Sequence, residues 1–385
     1  MRKRAARIAS LVIALILVLG SAQKYFFARP DPQAIRSSGF YMEDKNSLDV
    51  IFMGASEVYA GFSSAQAYGE YGFTSYPYAF TANPVSLWKN ELIEAGKRQK
   101  PSLIVMEING ALYNSGELFG DDKVRRFTDD LPLSANKIDT VSKLGTDEKI
   151  SYYLPFFKYH SRWKEPVKSF SGMQDRFCLK ARGHSLLRGE FTKTGSACRG
   201  IRKRPGQIKG SLFLDTQART YLVNFLDYCR ENKIPILFVR FPHRMGDPRG
   251  ITMYKRSRTA AKIIRSYGFP YLDLEGRQER IGLDGNDYYN NDHLNRYGQK
   301  KLTSYLGAYI KKHYDIGHVV LSSRQKRQWQ ESADYMEYFD RYYREADARF
   351  RQAQLNARLK GEPYRANADV YETRKLVRRL ESMGK

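Results

Sequence analysis

Short apolar runs alternate with helical patterns in the first part of this chain. Residues 48–53 (LDVIFM) and 102–107 (SLIVME) are largely apolar runs of the length typical of buried strands. A further strand begins within residues 72–76, and residues 86–98 have the periodicity of an amphipathic helix. The pattern predicts strands separated by helices from residue 46 to about residue 130.

The same alternation returns nearer the end of the chain. A helical pattern over residues 216–232 is followed by the apolar run 234–240 (IPILFVR). A second helical pattern over 254–267 precedes a short strand at 270–274, and a closing helix is expected over 300–312. Strands of this kind that alternate with helices indicate an α/β fold, in which a doubly wound parallel sheet is covered on both faces.

These patterns divide the chain into four segments. The α/β domain covers residues 46–315, and an insertion over residues 158–210, rich in glycine and poor in periodicity, interrupts it. Residues 1–28 form a basic and apolar N-terminal segment, and residues 29–45 form a linker. Residues 316–385 form a helical C-terminal extension, and the insertion is expected to lie over one end of the sheet.

One apolar stripe in the C-terminal extension has helical spacing. Met336, Phe339, Tyr343, Ala346 and Phe350 recur at steps of three and four residues, which places them on one face of a helix. Packing of this face against the α/β domain is the favoured interpretation. Insertion into the groove of a partner, or contact with a membrane surface, remains open as the alternative.

Composition and charge narrow the class of protein. The 385 residues include 65 Lys plus Arg and 41 Asp plus Glu, for a formal charge of +24, and 42% are apolar. The mean hydropathy of −0.59 excludes a polytopic membrane protein, and the apolar content excludes a disordered chain. The charge predicts an acidic partner, and residues 158–210 carry much of it, with 14 Lys or Arg and three acidic residues.

The N-terminus indicates export. Arg2, Lys3, Arg4 and Arg7 precede an uncharged, mostly aliphatic run over residues 8–22. This layout is typical of a signal anchor, with the N-terminus in the cytoplasm and a single pass through the cell membrane, or of a cleaved secretory signal. Both interpretations place the α/β domain outside the cytoplasm and disfavour nucleic acid as the partner, whereas a buried helix of a cytosolic protein is the remaining interpretation. An anionic cell-wall polymer is the expected partner instead.

The cysteine pattern and the motif content predict neither a metal site nor a cofactor. Cys178 and Cys198 could form a disulfide outside the cytosol, whereas Cys229 lies in an apolar helical pattern and is expected to be a buried thiol. The sequence has no CxxC pair, no His/Cys cluster, no P-loop and no GxGxxG after a strand.

Ser56 is the first candidate for catalysis. It lies three residues after the first strand, in the turn Gly54-Ala55-Ser56-Glu57 that leads into a helix. Ligands of open α/β sheets bind beyond the carboxyl ends of the strands, where backbone N–H groups of the turn can also form part of an oxyanion hole. A nucleophile is therefore one interpretation, and a helix N-cap is the alternative.

Two blocks of sequence resemble the SGNH/GDSL hydrolases. GASE at 54–57 is similar to their first block, where the nucleophilic serine follows the first strand, and HLNRYG at 293–298 is similar to their last. The strings VIFMGASEVYAGFSSAQ, KPSLIVMEI and DHLNRYGQKKLTSYL resemble the membrane-anchored, extracytoplasmic DltD-like proteins, which act in D-alanylation of teichoic acid. The resemblance implies a three-layer, flavodoxin-like SGNH fold, with Ser56 as nucleophile and His293 as general base of a serine esterase or O-acyltransferase.

The chain departs from the family at two places. The family has an aspartate three residues before its histidine, and Asn290 occupies that position here, which leaves Asp287 as a substitute for orienting His293. The glycine and asparagine blocks of the oxyanion region are also altered. Asn83 and Asn109 are the candidates that would assist the Ser56 N–H, and a turn or capping role is the alternative for both.

Two basic and aromatic stretches are candidate contacts for substrate. His160, Arg162 and Trp163 begin the insertion and combine a guanidinium with aromatic rings, which suits carbohydrate or phosphate, although a packed turn explains them equally. The stretch Arg240-Phe241-Pro242-His243-Arg244, at the end of the strand at 234–240, suggests a contact at the rim of the site, although a solvated loop explains it nearly as well.

The function expected from these features is an extracytoplasmic esterase or O-acyltransferase that acts on an anionic cell-envelope glycopolymer. A membrane-bound acyl donor protein is a further expected partner. The alternative is a non-catalytic protein of the same fold that binds anionic polymer or a membrane partner.

Overall fold

A computed structural model of the protein describes residues 2–25, 32–164, 179, 181–193, 204–245 and 247–361. In chain order the strands are β1 (Val50–Gly54), β2 (Ser75–Ala79), β3 (Leu103–Glu107), β4 (Ile236–Arg240) and β5 (Tyr271–Asp273). The helices are α1 (Arg2–Tyr25), α2 (Pro32–Met42), α3 (Ser56–Gly61), α4 (Ser64–Tyr71), α5 (Trp88–Gly96), α6 (Asp121–Thr128), α7 (Ala135–Ser142), α8 (Ile150–Tyr153), α9 (Phe156–Tyr159), α10 (Thr216–Glu231), α11 (Pro248–Ser266), α12 (Gln278–Ile281), α13 (Arg296–His313) and α14 (Ser323–Leu359).

The five strands form one parallel sheet in the order β2-β1-β3-β4-β5. Each strand lies within or beside the apolar run that predicted it, so the predicted α/β fold with a parallel sheet is confirmed. The chain reverses its direction of winding between β1 and β3, and in sheets of this order ligands bind outside the carboxyl ends of the strands at that point.

Both faces of the sheet are buried under helices. In β1, Ile51 and Met53 pack into the cluster that contains α5, α10 and α11, whereas Val50 and Phe52 pack into the cluster with α3 and α13. The division follows from the alternation of side chains along a strand, which points successive residues to opposite faces. The domain therefore has three layers, helix over sheet over helix.

The C-terminal helix α14 packs on the domain through the predicted apolar stripe. Met336, Phe339 and Tyr343 are buried, in one cluster with Ala65 of α4 and Leu186 of the insertion. The packing interpretation is thereby confirmed for these three residues. The side chains of the other two members of the stripe, at 346 and 350, lie outside the described residues.

Residues 191–193 of the insertion join two helices of the domain. The Phe191 N–H donates to the Tyr59 carbonyl of α3 at 2.8 Å, and the Lys193 carbonyl accepts from the Arg296 N–H at the start of α13 at 2.9 Å. These residues thus connect α3, which follows β1, with the start of α13.

The sequence predictions for the cysteines concern Cys229 and the pair Cys178 and Cys198. Cys229 is a buried free thiol, as predicted, and burial raises its pKa to about 12. Cys178 and Cys198 lie outside the described residues.

Within the described ranges, no helix combines the length and the apolar character that a membrane crossing requires.

Candidate active site

Polar side chains converge where β1, β3, β4 and β5 end. A serine and a glutamate follow β1, a glutamate ends β3, an arginine ends β4, and the loops after β3, β4 and β5 add an asparagine, a histidine and a further glutamate. The set consists of Ser56, Glu57, Glu107, Asn109, Arg240, His243 and Glu275, all of them buried. We refer to the four charged residues Glu57, Arg240, His243 and Glu275 as the buried charge cluster.

Ser56 is the first residue of α3, and its hydroxyl does not cap the helix. Ala55 occupies the N-cap position, without a side-chain hydrogen bond, so the N-cap interpretation of Ser56 is wrong. The Ser56 Oγ lies 3.5 Å from Glu57 Oε2, to which it donates. Gly54 has a φ of +136°, and a Cβ there would lie 2.7 Å from the Glu107 Cβ. A glycine is therefore required to carry the chain past the end of β3 into α3.

His293 is held in one tautomer by Asn290. The Asn290 Oδ1 accepts from the backbone N–H groups of Asp292 and His293, each at 2.9 Å, and lies 2.9 Å from His293 Nδ1. Because an amide oxygen only accepts, Nδ1 must carry the hydrogen, and Nε2 keeps a free lone pair. Burial lowers the pKa of His293 below its ordinary value, so the ring is neutral near pH 7.

Asp287 has a different role from the one predicted. Its carboxylate accepts from the Asp284 N–H at 2.7 Å and from Lys301 Nζ at 2.8 Å, and so closes a short turn and anchors it to α13. Within the described residues it makes no hydrogen bond to His293. Of the two residues expected to orient the histidine, Asn290 alone contacts it.

The two asparagines predicted for the oxyanion site differ in what they can still donate. Asn83 Nδ2 donates to the Gly54 carbonyl at 3.1 Å and to Glu91 Oε2 at 2.8 Å, which uses both amide hydrogens. Asn109 Nδ2 donates to Glu57 Oε1 at 2.6 Å, and its other neighbour, Tyr113 Oη, is 3.5 Å away. Asn109 thus retains a weakly engaged hydrogen in the site, whereas Asn83 supports the β1 turn.

The structure does not place Arg240 and His243 at the rim of the site, where the sequence had suggested that they lie. Both are buried in the cluster, where Arg240 Nε donates to Glu275 Oε2 at 2.7 Å and Nη1 donates to Asn109 Oδ1 at 2.6 Å. His243 Nε2 lies 3.3 Å from Glu57 Oε1, and Nδ1 lies 3.5 Å from Glu275 Oε1. The rim prediction was wrong because β4 lies inside the sheet, where neighbouring strands supply carboxylates that compensate buried cations.

The cluster separates the protonation states of its members. Burial alone would raise the pKa of Glu57, but the hydrogen bond from His243 and the charges of His243 and His293 lower it to about 2. Burial and the charge of Arg240 act to lower the pKa of His243. The interactions with Glu275 and Glu57 outweigh them and raise the pKa to about 10. At neutral pH Glu57 is therefore a carboxylate that faces an imidazolium.

Glu107 adds a neutral acid to this environment. Burial and the charge of Glu57 raise its pKa to about 8, although Arg240 and His243 act in the opposite direction. Its Oε1 accepts from the Asn109 N–H at 2.8 Å, and Oε2 has no hydrogen-bond partner among the described residues. Glu57, Glu107 and Glu275 were not among the predicted site residues, because their one signal in the sequence is a position at or just after a strand end.

Of the three predicted substrate contacts, His160 is the one whose side chain the structure describes. His160 is exposed at the start of a short helical turn (His160–Lys164), and its Nδ1 lies 3.2 Å from the Phe157 carbonyl. The side chains of Arg162 and Trp163 lie outside the described residues. Across the described ranges, no group of three or more His, Cys, Asp or Glu is arranged to hold a metal ion.

Comparisons with known proteins add no family assignment. No protein-family profile matches the chain, and no curated protein matches it. The fold and the geometry at the carboxyl edge of the sheet are therefore the basis on which a function is assigned.

Proposed function

We propose that this protein is a serine esterase or O-acyltransferase of the SGNH type. The observation that carries the proposal is the contact between Asn290 and His293, which leaves a neutral imidazole with an unprotonated Nε2. Ser56, after β1, and His293, before the closing helix α13, have the order that the resemblance to SGNH hydrolases implies. The three-layer fold and the parallel sheet agree with that family.

In the proposed reaction Ser56 and His293 act as a nucleophile and a general base. The Ser56 hydroxyl rotates towards His293, Nε2 takes its proton, and Oγ forms a bond to the acyl carbonyl carbon while the carbonyl electrons move to oxygen. Collapse of this intermediate breaks the ester C–O bond, and the alcohol leaves with the proton from His293. Water or an acceptor hydroxyl then attacks the acyl-enzyme and gives its proton to the same nitrogen. Collapse of this second intermediate breaks the bond between Oγ and the acyl carbon, and His293 returns the proton to Oγ.

The negatively charged oxygen of the tetrahedral intermediate must be stabilised by hydrogen-bond donors, on the side of the reacting carbon away from His293. The Ser56 N–H lies at the start of α3, where helical N–H groups have no intrahelical partner. The remaining amide hydrogen of Asn109 is a second donor. Preorganised donors of this kind contribute about 10²- to 10³-fold each in rate.

Mass mapping of a covalent adduct tests this proposal. A fluorophosphonate reacts with an activated serine, so treatment of the full chain in detergent is expected to place the adduct on the peptide that contains Ser56. The peptide that contains Ser266, an exposed serine at the end of α11, is the internal control and should stay unmodified. Absence of an adduct on Ser56 would instead favour a non-catalytic protein of this fold that binds anionic polymer.

An anionic envelope glycopolymer is the proposed substrate. The formal charge of +24 and the concentration of cations in residues 158–210 would attract such a polymer. Within the described part of the insertion, Lys193 lies near enough to His293 for its charge to contribute to the lower pKa of the ring. The insertion therefore brings a cation to the candidate site. A membrane-bound acyl donor protein remains part of the proposal.

We propose further that the N-terminal segment, residues 1–28, anchors the protein in the cell membrane, with the α/β domain outside. Ile8, Leu11 and Leu15 expose more than half of their surface instead of packing on the domain. The protein is expected to stay in the membrane pellet after alkaline carbonate washing. Replacing Leu11 and Leu15 by arginine should release it, because each charge at a helix centre costs about 2.5–3.5 kcal/mol of insertion. Recovery of the wild-type chain in the soluble fraction would contradict the anchor.

A further inference from the structure

The contact between Asn290 and His293 leaves one requirement of the chemistry unmet. When His293 takes the proton of Ser56, the resulting imidazolium needs a negative charge nearby. An aspartate bonded to Nδ1 provides that charge in serine hydrolases, whereas Asn290 fixes the ring and carries no charge. The compensating charge must therefore come from another side chain.

We propose that Glu57 supplies this charge, as a positioning residue whose buried carboxylate stabilises protonated His293 from beside the nucleophile. The inference rests on the proposed roles of Ser56 and His293 and extends them to a residue outside the resemblance. It assigns a catalytic purpose to the buried charge cluster, which otherwise contains ionic groups that a packed core does not need.

The two carboxylate oxygens of Glu57 face different neighbours. Oε1 accepts from Asn109 Nδ2 at 2.6 Å and lies 3.3 Å from His243 Nε2. Oε2 faces the Ser56 hydroxyl at 3.5 Å. One oxygen is therefore held by the protein, and the other is directed to the nucleophile from which the proton departs. Rotation of the Ser56 hydroxyl towards His293 would leave Oε2 free to act on the imidazolium.

The charge balance of the cluster keeps Glu57 ionised. Arg240 and His243 are two buried cations, and Glu57 and Glu275 are the two carboxylates bonded to them. Glu107, with its raised pKa, is neutral below about pH 8 and adds no third negative charge. Two cations thus face two anions. Protonation of Glu57 would leave an uncompensated positive charge in the interior, which is strongly unfavourable.

Among the described residues, four charged groups act on His293, and Glu57 differs from the others. Burial lowers the pKa of the ring, and Lys193 and His243 lower it further, whereas Glu57 and Asp292 raise it. Asp292 is exposed to solvent, where water and salt screen its charge. Glu57 is buried, so its field on the ring is screened much less.

The rate of fluorophosphonate labelling as a function of pH tests the role of Glu57. The reaction needs neutral His293, so the rate falls on the acid side with a midpoint at the pKa of the ring. Glu57→Gln removes a negative charge, and the midpoint is therefore expected to shift to lower pH while the maximal rate falls about 100-fold. A Glu57 with only a structural role would lower the rate without moving the midpoint.

Restoring the missing aspartate is the rescue experiment. In the Glu57→Gln background, Asn290→Asp is expected to recover at least tenfold in rate, because it places a carboxylate on Nδ1. Asp292→Asn is the matched control: it also removes a negative charge that acts on His293, but an exposed one that water and salt screen. The acid midpoint of this variant should stay close to that of the wild type.

Asn290→Asp alone keeps the inference falsifiable if Glu57→Gln does not fold. With Glu57 already supplying the charge, this variant should gain tenfold or less in labelling rate, and a larger gain would overturn the inference. Unchanged rate and midpoint in folded Glu57→Gln would also overturn it, while the proposed function stands. A wild-type chain that is never labelled at Ser56 would instead refute the proposed function itself.

Discussion

Replacing Ser56 by alanine, or His293 by glutamine, is expected to lower kcat/KM for a simple aryl ester by about 10⁴- to 10⁶-fold. The two groups act on one proton, since the Ser56 hydroxyl is a poor nucleophile until His293 Nε2 removes its hydrogen. The double variant should therefore be no slower than either single variant, within about threefold. Stopped or continuous assays of aryl acetate hydrolysis by the full chain in detergent give kcat/KM for the two single variants and the double variant.

The matched control for His293, which precedes α13, is a histidine at the far end of that helix. His313 ends α13, is exposed and stacks on Tyr309, with ring centroids 4.1 Å apart, so His313→Gln should keep wild-type kcat/KM. Circular dichroism would verify that each variant keeps its helices. Losses that multiply in the double variant would mean that Ser56 and His293 act independently. Activity within tenfold of wild type in either single variant would contradict the mechanism.

The sequence predicted the fold well because apolar periodicity reflects burial directly. The runs at 48–53 and 102–107 overlap β1 and β3, and every residue of these two strands is buried, as parallel strands between two helical layers must be. The ends of the elements differ from the prediction by a few residues, because caps and turns decide them. The closing helix, expected from residue 300, begins at Arg296, where the Asn295 side chain caps it.

The candidate site could be predicted only where its residues are close together in sequence. Asn290 and His293 are three residues apart, and the turn between them places the amide oxygen on the ring. The contact between Glu57 and His243 spans 186 positions, and that between Arg240 and Glu275 spans 35. No local sequence pattern predicts pairs of residues that are so far apart in the chain. Charged residues are usually exposed, and Arg240 and His243 were therefore expected at the rim of the site.

An ion pair that joins the linker (residues 29–45), the insertion and α14 could not be predicted from the sequence for the same reason. Arg188 Nη1 donates to both carboxylate oxygens of Glu43, at 2.8 and 2.9 Å, and Arg188 Nε donates to Ser332 Oγ at 2.9 Å. The guanidinium also lies over the Trp329 ring, 4.1 Å from its centroid. Both charges are buried, so the pair fixes three segments that are distant in sequence around the domain.

Arg188→Met is expected to lower the free energy of unfolding by about 3–5 kcal/mol at neutral pH, because it leaves the Glu43 carboxylate buried without a counter-ion. Burial already raises the pKa of Glu43 above its ordinary value, although Arg188 acts against that rise. Without Arg188 the pKa in the folded state rises further, so folding takes up a proton and stability falls as pH increases. Urea unfolding of the full chain in detergent should therefore show a smaller loss at pH 5 than at pH 8.

The double variant Glu43→Gln/Arg188→Met separates the charge from the packing. Removing both charges leaves no buried ion, and the methionine can still contact Trp329, so the double variant should lie within about 1 kcal/mol of the wild type. The favourable coupling in this double-mutant cycle is then at least about 2 kcal/mol. A double variant as unstable as Arg188→Met, with no dependence of the loss on pH, would show that packing by Arg188, and not its charge, joins the three segments.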